Sequence, residues 1–317
     1  MPLRLLFFGT PEFAVPTLAA LVDSGLPPLQ VISQPARPVG RGQRVQDPPV
    51  AAWARQHGLE VAQPERVRDA ELLASWRDLA PDAAVVVAFG QIFRRRLLDL
   101  PRLGCINLHA SRLPYYRGAA PIQAAIAAGE TRTGVTTMRM ERGLDSGPIL
   151  LQEEVDIGPD ETTAELAPRL AAVGAGLMVR TLRELDAGTL EPRPQRHELA
   201  TYAPRLAKSD GLVDWRLPAA RIHDRLRAFT PWPGLTGEIR GQVVKILHGR
   251  PLRGGAGGHA AGEVLGVDGD GIRVRCGDGT IFVLERAQLA GKKPVSGLDL
   301  ANRLGLEAGE RFMTEDD

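Results

Sequence analysis

Through its first half the chain alternates short apolar runs with amphipathic stretches. Leu3 to Phe8, Leu29 to Ser33, Ala83 to Val87 and Gly104 to Leu108 are predominantly apolar, the pattern of strands buried on both faces. Between them, Glu12 to Ser24, Pro48 to His57, Ala70 to Leu79 and Phe93 to Leu98 space their apolar residues at helical intervals. Strand and helix in turn predict a doubly wound, mostly parallel α/β sheet, which binds its ligands beyond the carboxyl ends of the strands. Two further strands, Thr133 to Met140 and Ile149 to Val155, and a long amphipathic helix from about Thr162 to Leu185 complete this part.

From Ala187 to Lys208 the periodicity dissolves into Gly, Pro and polar residues, with Pro192, Pro194 and Pro204 among them. This places a catalytic domain at residues 1–189, a linker at 190–207 and a second domain at 208–317. In the second domain one helix, Ala219 to Phe229, precedes short strands punctuated by Asp268-Gly269-Asp270-Gly271 and Gly277-Asp278-Gly279-Thr280. Short strands at that spacing predict a small β-barrel. The cluster Gly254-Gly255-Ala256-Gly257-Gly258 reads as a barrel loop rather than a domain linker.

Composition removes several function classes. With 39 Lys and Arg against 38 Asp and Glu the formal charge is +1, so any nucleic-acid contact must use local patches rather than a whole-chain field. The two cysteines, Cys105 and Cys276, give neither a disulfide framework nor a zinc-ligand spacing, and a reducing cytoplasm suits them. No metal is expected. No stretch approaches the roughly 18 apolar residues of a membrane span, and the apolar start lacks the cleavage pattern of a secretory signal. Gly9-Thr10-Pro11 after the first strand is not Gly-x-Gly-x-x-Gly, so a dinucleotide site would lack its phosphate cradle.

The chemistry concentrates in Gly104-Cys105-Ile106-Asn107-Leu108-His109-Ala110-Ser111-Arg112-Leu113-Pro114. Side chains alternate along a strand, so Cys105, Asn107 and His109 share one face and Ile106 and Leu108 the other. An amide that can donate to a developing oxyanion beside an imidazole that can move a proton suits acyl transfer. Asp145, in the glycine-flanked turn Arg142-Gly143-Leu144-Asp145-Ser146-Gly147-Pro148, can bring a carboxylate to His109 and orient the ring. An attacking amine from the substrate then removes the need for a protein nucleophile. Singly, each residue has a plainer reading: a hydrogen-bonded structural histidine, a turn-forming asparagine, an aspartate capping a turn. Cys105 reads as a core residue rather than a nucleophile.

The run Asn107 to Pro114, continued by Tyr115-Tyr116-Arg117-Gly118-Ala119-Ala120-Pro121-Ile122-Gln123, resembles the signature of the formyltransferases that use 10-formyltetrahydrofolate, and the Asp145 turn resembles their second signature. Phe7-Phe8-Gly9-Thr10-Pro11-Glu12-Phe13-Ala14, the loop Arg37-Pro38-Val39-Gly40-Arg41-Gly42 and Phe229-Thr230-Pro231-Trp232-Pro233 are similar to the branch of that family whose acceptor is methionyl initiator tRNA. The resemblance implies a Rossmann-like formyltransferase domain followed by an OB-like barrel that binds tRNA, acting as a cytoplasmic monomer in translation initiation. It implies that Asn107 steadies the oxyanion and that His109 with Asp145 handles the proton. It further implies that Ser111, Arg112, Leu113 and Pro114 line the folate pocket, although the family commonly has Leu where Arg112 stands.

The basic loop Ala36 to Val45 carries Arg37, Arg41 and Arg44 with no acidic residue, and glycines beside arginines suit a segment that orders on phosphate. By itself it is also an ordinary solvated loop; the resemblance implies that it holds the tRNA acceptor end. From Arg205 to Asp317 there are 17 Lys and Arg and 15 Asp and Glu, with Lys245, Lys292 and Lys293 as the expected phosphate contacts. Arg94-Arg95-Arg96 reads as a solvated helix start without a role. The competing functions are the same folate chemistry with a small amine or water as acceptor, and a noncatalytic tRNA-binding protein on the same scaffold.

Overall fold

The computed structural model describes residues 3–39, 43–252, 254, 258 and 260–313. The chain divides into two compact units. The first comprises Met1–Pro121, Arg132–Asp156 and Ala167–Pro204, the second Ile122–Thr131, Ile157–Leu166 and Arg205–Asp317.

Up to Pro204 the elements run β1 (Leu5–Gly9), α1 (Val15–Asp23), β2 (Gln30–Ile32), β3 (Arg37–Val39), β4 (Arg44–Gln46), α2 (Pro49–Gln56), β5 (Val61–Ala62), α3 (Ala70–Asp78) and β6 (Ala83–Val87). Then follow α4 (Arg95–Leu98), β7 (Cys105–His109), β8 (Arg117–Gly118), α5 (Pro121–Ala127), β9 (Arg132–Arg139), β10 (Ile149–Asp156), α6 (Thr163–Asp186) and β11 (Tyr202–Ala203). Seven strands form one sheet in the order β10-β9-β7-β6-β1-β2-β5. The five from β5 to β7 are parallel, while β9 runs antiparallel to both β7 and β10. This is the expected doubly wound α/β sheet, with the boundaries of the expected elements within three residues of those read from periodicity.

β1 and β6 are buried along their whole length, as apolar runs in central parallel strands must be. Phe8 of β1 meets Trp76, Phe89 and Phe93 edge-on, with centroids 5.2, 5.4 and 5.0 Å away. Each such pair adds about 0.5–1.5 kcal/mol beyond area burial. The indole N–H of Trp76 donates to Gln30 Oε1 at 2.8 Å, which satisfies the one polar atom buried there. On the other face of β7, Leu108 packs where α6 has Gly174; a Cβ at that glycine would lie 2.6 Å from Leu108 Cδ2.

Two features depart from the sequence reading. Arg37–Val39 and Arg44–Gln46 pair as the antiparallel strands β3 and β4 rather than forming only a loop. The stretch expected to be a linker is held by pairing: Arg193 exchanges both backbone hydrogen bonds with Ile149 at 2.8 Å, and β11 lies parallel to β8. Its backbone groups find partners on exposed strand edges, an outcome that side-chain periodicity does not encode.

In the second unit α7 (Ala219–Ala228) is followed by β12 (Leu235–Ile239), β13 (Gln242–Leu252), β14 (Val264–Asp268), β15 (Gly271–Arg275), β16 (Ile281–Leu289), β17 (Val295–Ser296) and α8 (Gly297–Leu304). The strands form a six-stranded antiparallel sheet in the order β12-β13-β16-β15-β14, with β17 on β16. Asp268–Gly271 and Gly277–Thr280 make the hairpin connections, as their turn residues predict. Trp215 packs between Phe282 and Phe312 at 6.2 and 5.0 Å to anchor the core. Among the described residues no helix is long and apolar enough to cross a membrane.

Candidate active site

The alternation along β7 sets the site. Cys105 is completely buried, its thiol donating to Leu97 O at 3.5 Å, and burial pushes it up to about 12. A thiol so held is a core residue rather than a nucleophile. Two residues on, the half-buried Asn107 makes no side-chain hydrogen bond within the described residues. A carboxamide kept near the interior without a partner leaves its donors for a ligand. Another two residues on, His109 is 5% exposed and its Nε2 lies 2.9 Å from Tyr116 O.

Asp145 reaches His109 by a route that strand order alone does not reveal. In the β7–β9 register Ile106 faces Arg139 and His109 faces Thr136, so β9 ends beside the amino-terminal half of β7. The turn from Met140 to Pro148 therefore folds back across the Cys105-Asn107-His109 face. Its geometry is tight: Asp145 has φ +46°, and a Cβ at Gly147 would collide with Arg139 O. Asp145 Oδ2 accepts the backbone N–H of Gly118 at 2.8 Å and faces His109 Nδ1 at 3.7 Å.

The residue that holds this turn is Gln195, within the stretch read as a linker. Its Nε2 donates to Asp145 O at 2.8 Å and to Gly147 O at 2.7 Å. Its Oε1 accepts from Arg117 Nε and Nη2 at 3.1 and 2.7 Å, and Arg117 Nη2 also donates to His197 Nδ1 at 3.1 Å. Gln195 and Arg117 are 5% and 4% exposed, so the polar groups satisfy one another away from water. Arg117 lies between Tyr116, whose carbonyl holds His109, and Gly118, whose N–H holds Asp145. One buried Arg–Gln pair thus fixes both halves of the site. No sequence signal marks Gln195; Arg117 and Gly118 lay within the recognised signature.

The arrangement assigns the histidine tautomer. Tyr116 O can only accept, so Nε2 carries a proton and Nδ1 bears the lone pair of the neutral ring. Nδ1 is then the basic atom, and a proton taken up there faces the Asp145 carboxylate. The ring is oriented by Tyr116 O, not by Asp145 as the sequence reading had it, because 3.7 Å is too long for a direct hydrogen bond.

The other expected contacts are more dispersed. Ser111 is fully buried with its hydroxyl donating to Tyr115 O at 2.6 Å, and Leu113 is 3% exposed, its N–H on Thr136 Oγ1 and its carbonyl accepting from Gln152 Nε2. Both side chains shape the turn and point inward, while Arg112 and Pro114 remain partly exposed. The Arg112 guanidinium engages Glu154. Arg37 lies 3.8 Å from Glu65, Arg44 is exposed on β4, and Arg41 falls outside the described residues. Lys245 on β13 pairs across to Gln288, whose amide donates to Lys292 O at 2.7 Å, so Lys245, Lys292 and the exposed Lys293 share one end of that sheet. Among the described residues no group of three or more His, Cys, Asp or Glu is placed to hold a metal ion.

Comparison with known proteins agrees with this geometry. Residues 3–182 match the family described as formyl transferase, and residues 205–305 match the formyl transferase C-terminal domain. The chain is similar to the methionyl-tRNA formyltransferase of Anaeromyxobacter dehalogenans strain 2CP-C, with 50% identity over 95% of this chain and 97% of that protein. It also resembles the solved N-formyltransferase from Helicobacter canadensis in complex with folinic acid and dTDP-3-aminofucose, at TM-score 0.65 and 18% identity over 90% of this chain and 99% of that one. HypX from Aquifex aeolicus in complex with tetrahydrofolic acid matches at TM-score 0.62 and 14% identity over 98% of this chain, which spans only 49% of that longer protein. At such identities the two solved structures establish likeness of fold alone.

Proposed function

Since the chain belongs to the formyl transferase family, and within it to the methionyl-tRNA formyltransferases, we propose that it transfers a formyl group from 10-formyltetrahydrofolate to the free amino group of methionyl initiator tRNA. The observation that carries the reading is the unpartnered Asn107 amide beside a histidine whose basic nitrogen faces a carboxylate at 3.7 Å. The donor supplies an electrophilic formyl carbon on a nitrogen that can leave. Asn107 donates to the formyl oxygen as negative charge develops there. The neutral methionyl amine forms the new C–N bond, and His109 Nδ1 accepts the proton it releases while Asp145 balances the ring's charge; the adduct then collapses by breaking the formyl carbon's bond to the folate nitrogen, which takes up that proton and leaves as tetrahydrofolate. Residues 1–189 carry donor and chemistry, with Ser111, Arg112, Leu113 and Pro114 lining the folate pocket. The barrel, residues 208–317, contributes Lys245, Lys292 and Lys293, and the basic segment Ala36 to Val45 contributes Arg37, Arg41 and Arg44, to the tRNA backbone. The enzyme acts in the cytoplasm as a monomer and its chemistry calls for no metal.

The test is transfer of labelled formyl from 10-formyltetrahydrofolate to methionyl initiator tRNA, beside uncharged tRNA, free methionine, an amino-sugar nucleotide and water. Label on the charged tRNA alone is the expected result. Donor turnover with any other acceptor, and no labelled tRNA, overturns the reading.

A further inference from the structure

Arg117 is a buried cation without a carboxylate. Among the described residues its guanidinium donates to two side chains, Gln195 and His197, and makes no ion pair. One nitrogen serves both: Nη2 donates to Gln195 Oε1 at 2.7 Å and to His197 Nδ1 at 3.1 Å. A guanidinium carries donors and no acceptor, and it stays charged. Nδ1 of His197 therefore presents a lone pair, which places the proton of the neutral ring on Nε2. His197 joins His109 as a histidine whose tautomer the site dictates.

Arg117 in turn decides which end of the Gln195 amide faces the Asp145 turn. Its two N–H groups claim Oε1, so Nε2 is left to donate to Asp145 O and Gly147 O at 2.8 and 2.7 Å. His197 opens the short helical turn His197–Leu199 and is exposed, so protons reach it from solvent. Beside it in sequence stand Arg196 and Glu198, both exposed, and neither is ion-paired to it. From β8 it faces Arg117, and Tyr202 of β11 pairs with Arg117 in register. The carboxylate of this network, Asp145, is reached only through Gln195. Among the described residues no acidic group is placed to offset a second positive charge at His197.

We propose that neutral His197 is a positioning residue for formyl transfer, and that its protonation disengages Arg117 from Gln195 and frees the Asp145 turn. The inference rests on the formyl-transfer reading above. In the imidazolium Nδ1 becomes a donor, so two cations with hydrogens turned toward each other replace a hydrogen bond of 3.1 Å. The push falls on Nη2, the nitrogen that also holds Gln195 Oε1. Once that oxygen is released, nothing sets the sense of the amide, and the turn loses two donors. Asp145 then drifts from His109 although neither of them has titrated. Turnover in acid thus depends on two imidazoles: His109, whose lone pair takes the amine proton, and His197, which acts through Arg117.

The experiment compares the full chain with His197→Gln, whose carbonyl oxygen accepts from Arg117 without titrating, and His197→Leu, which offers no acceptor. Formyl transfer is followed from about pH 8 to about pH 5, the range in which histidine changes charge, with kcat and KM resolved and thermal melts matched. The ionisation of His109 and of the methionyl amine is common to all three proteins and cancels in ratios of kcat. The ratio of His197→Gln to wild type is expected to rise about tenfold from the alkaline to the acid end, a part of the roughly 100-fold that a 1 Å misplacement costs. His197→Leu should run about tenfold below His197→Gln throughout. The amide resonance of Gly118, whose N–H donates to Asp145 Oδ2 at 2.8 Å, reports the turn directly in glycine-labelled protein. It should titrate in two steps in the wild type and in one in His197→Gln. A ratio that stays constant with pH, or equal turnover in His197→Leu and His197→Gln, overturns the proposal and leaves formyl transfer intact. Absence of transfer by the wild type fails the parent reading instead, and the steps of the Gly118 resonance then decide this one.

Discussion

Replacing Gln195 should uncouple the active site without touching any reacting atom. In Gln195→Met the side-chain volume is nearly kept, but two neutral hydrogen bonds to Asp145 O and Gly147 O are lost, as are two charge-assisted ones from Arg117. The neutral pair is worth about 1 kcal/mol each, and a buried guanidinium left with only His197 adds further cost. A total destabilisation of about 3–5 kcal/mol follows. The Asp145 turn then relaxes from its φ of +46°, and a drift of about 1 Å would lower turnover on the order of 100-fold. Gln195→Glu separates the two effects. Its carboxylate still receives Arg117, but an acceptor oxygen now opposes the two turn carbonyls, so stability should partly return while turnover stays low. The assays are thermal unfolding and steady-state formyl transfer with kcat and KM resolved. Wild-type kcat in Gln195→Glu would refute the argument that this amide positions Asp145.

Four further outcomes are expected. His109→Ala and Asn107→Ala should each lower kcat by about 100-fold or more with melting temperature little changed, and near-normal turnover in either would remove that residue from the site. Gly118→Ala meets a φ of +125° and places its Cβ against Ala203 O, so unfolding should become easier by about 1–3 kcal/mol and turnover should fall, as denaturant titration with activity would register. His223 is held below its ordinary 6.5, first by burial and then by Arg227, so the native state keeps it neutral while the unfolded chain protonates. Stability from this group is therefore present above about pH 6.5 and lost as pH falls below it, and His223→Gln should flatten that slope in pH-dependent melts. Arg41→Ala should raise KM for methionyl-tRNA while donor binding, read by calorimetry, stays unchanged.

By itself the sequence determined the order of elements, because strands buried on both faces and helices with one apolar stripe have different periods and neither can hide them. Ala83 to Val87 and the turns at Asp268 and Gly277 are cases in point. Alternation along Cys105 to His109 likewise put Asn107 and His109 on one face with Cys105 beneath them, a consequence of strand geometry alone. The fold decided what depends on partners distant in sequence. Asp145 meets His109 because β9 runs antiparallel to β7 and its following turn folds back across the face. Gln195 joins the site because a polar, proline-rich stretch satisfies its backbone on the edges of β10 and β8. Ser111 turns inward because Tyr115 O accepts its hydroxyl, and Leu113 because its side chain packs with Met138 and Ile149. Hydrogen bonds between residues 23 to 80 positions apart leave no periodic trace in a sequence, whereas burial of a face does.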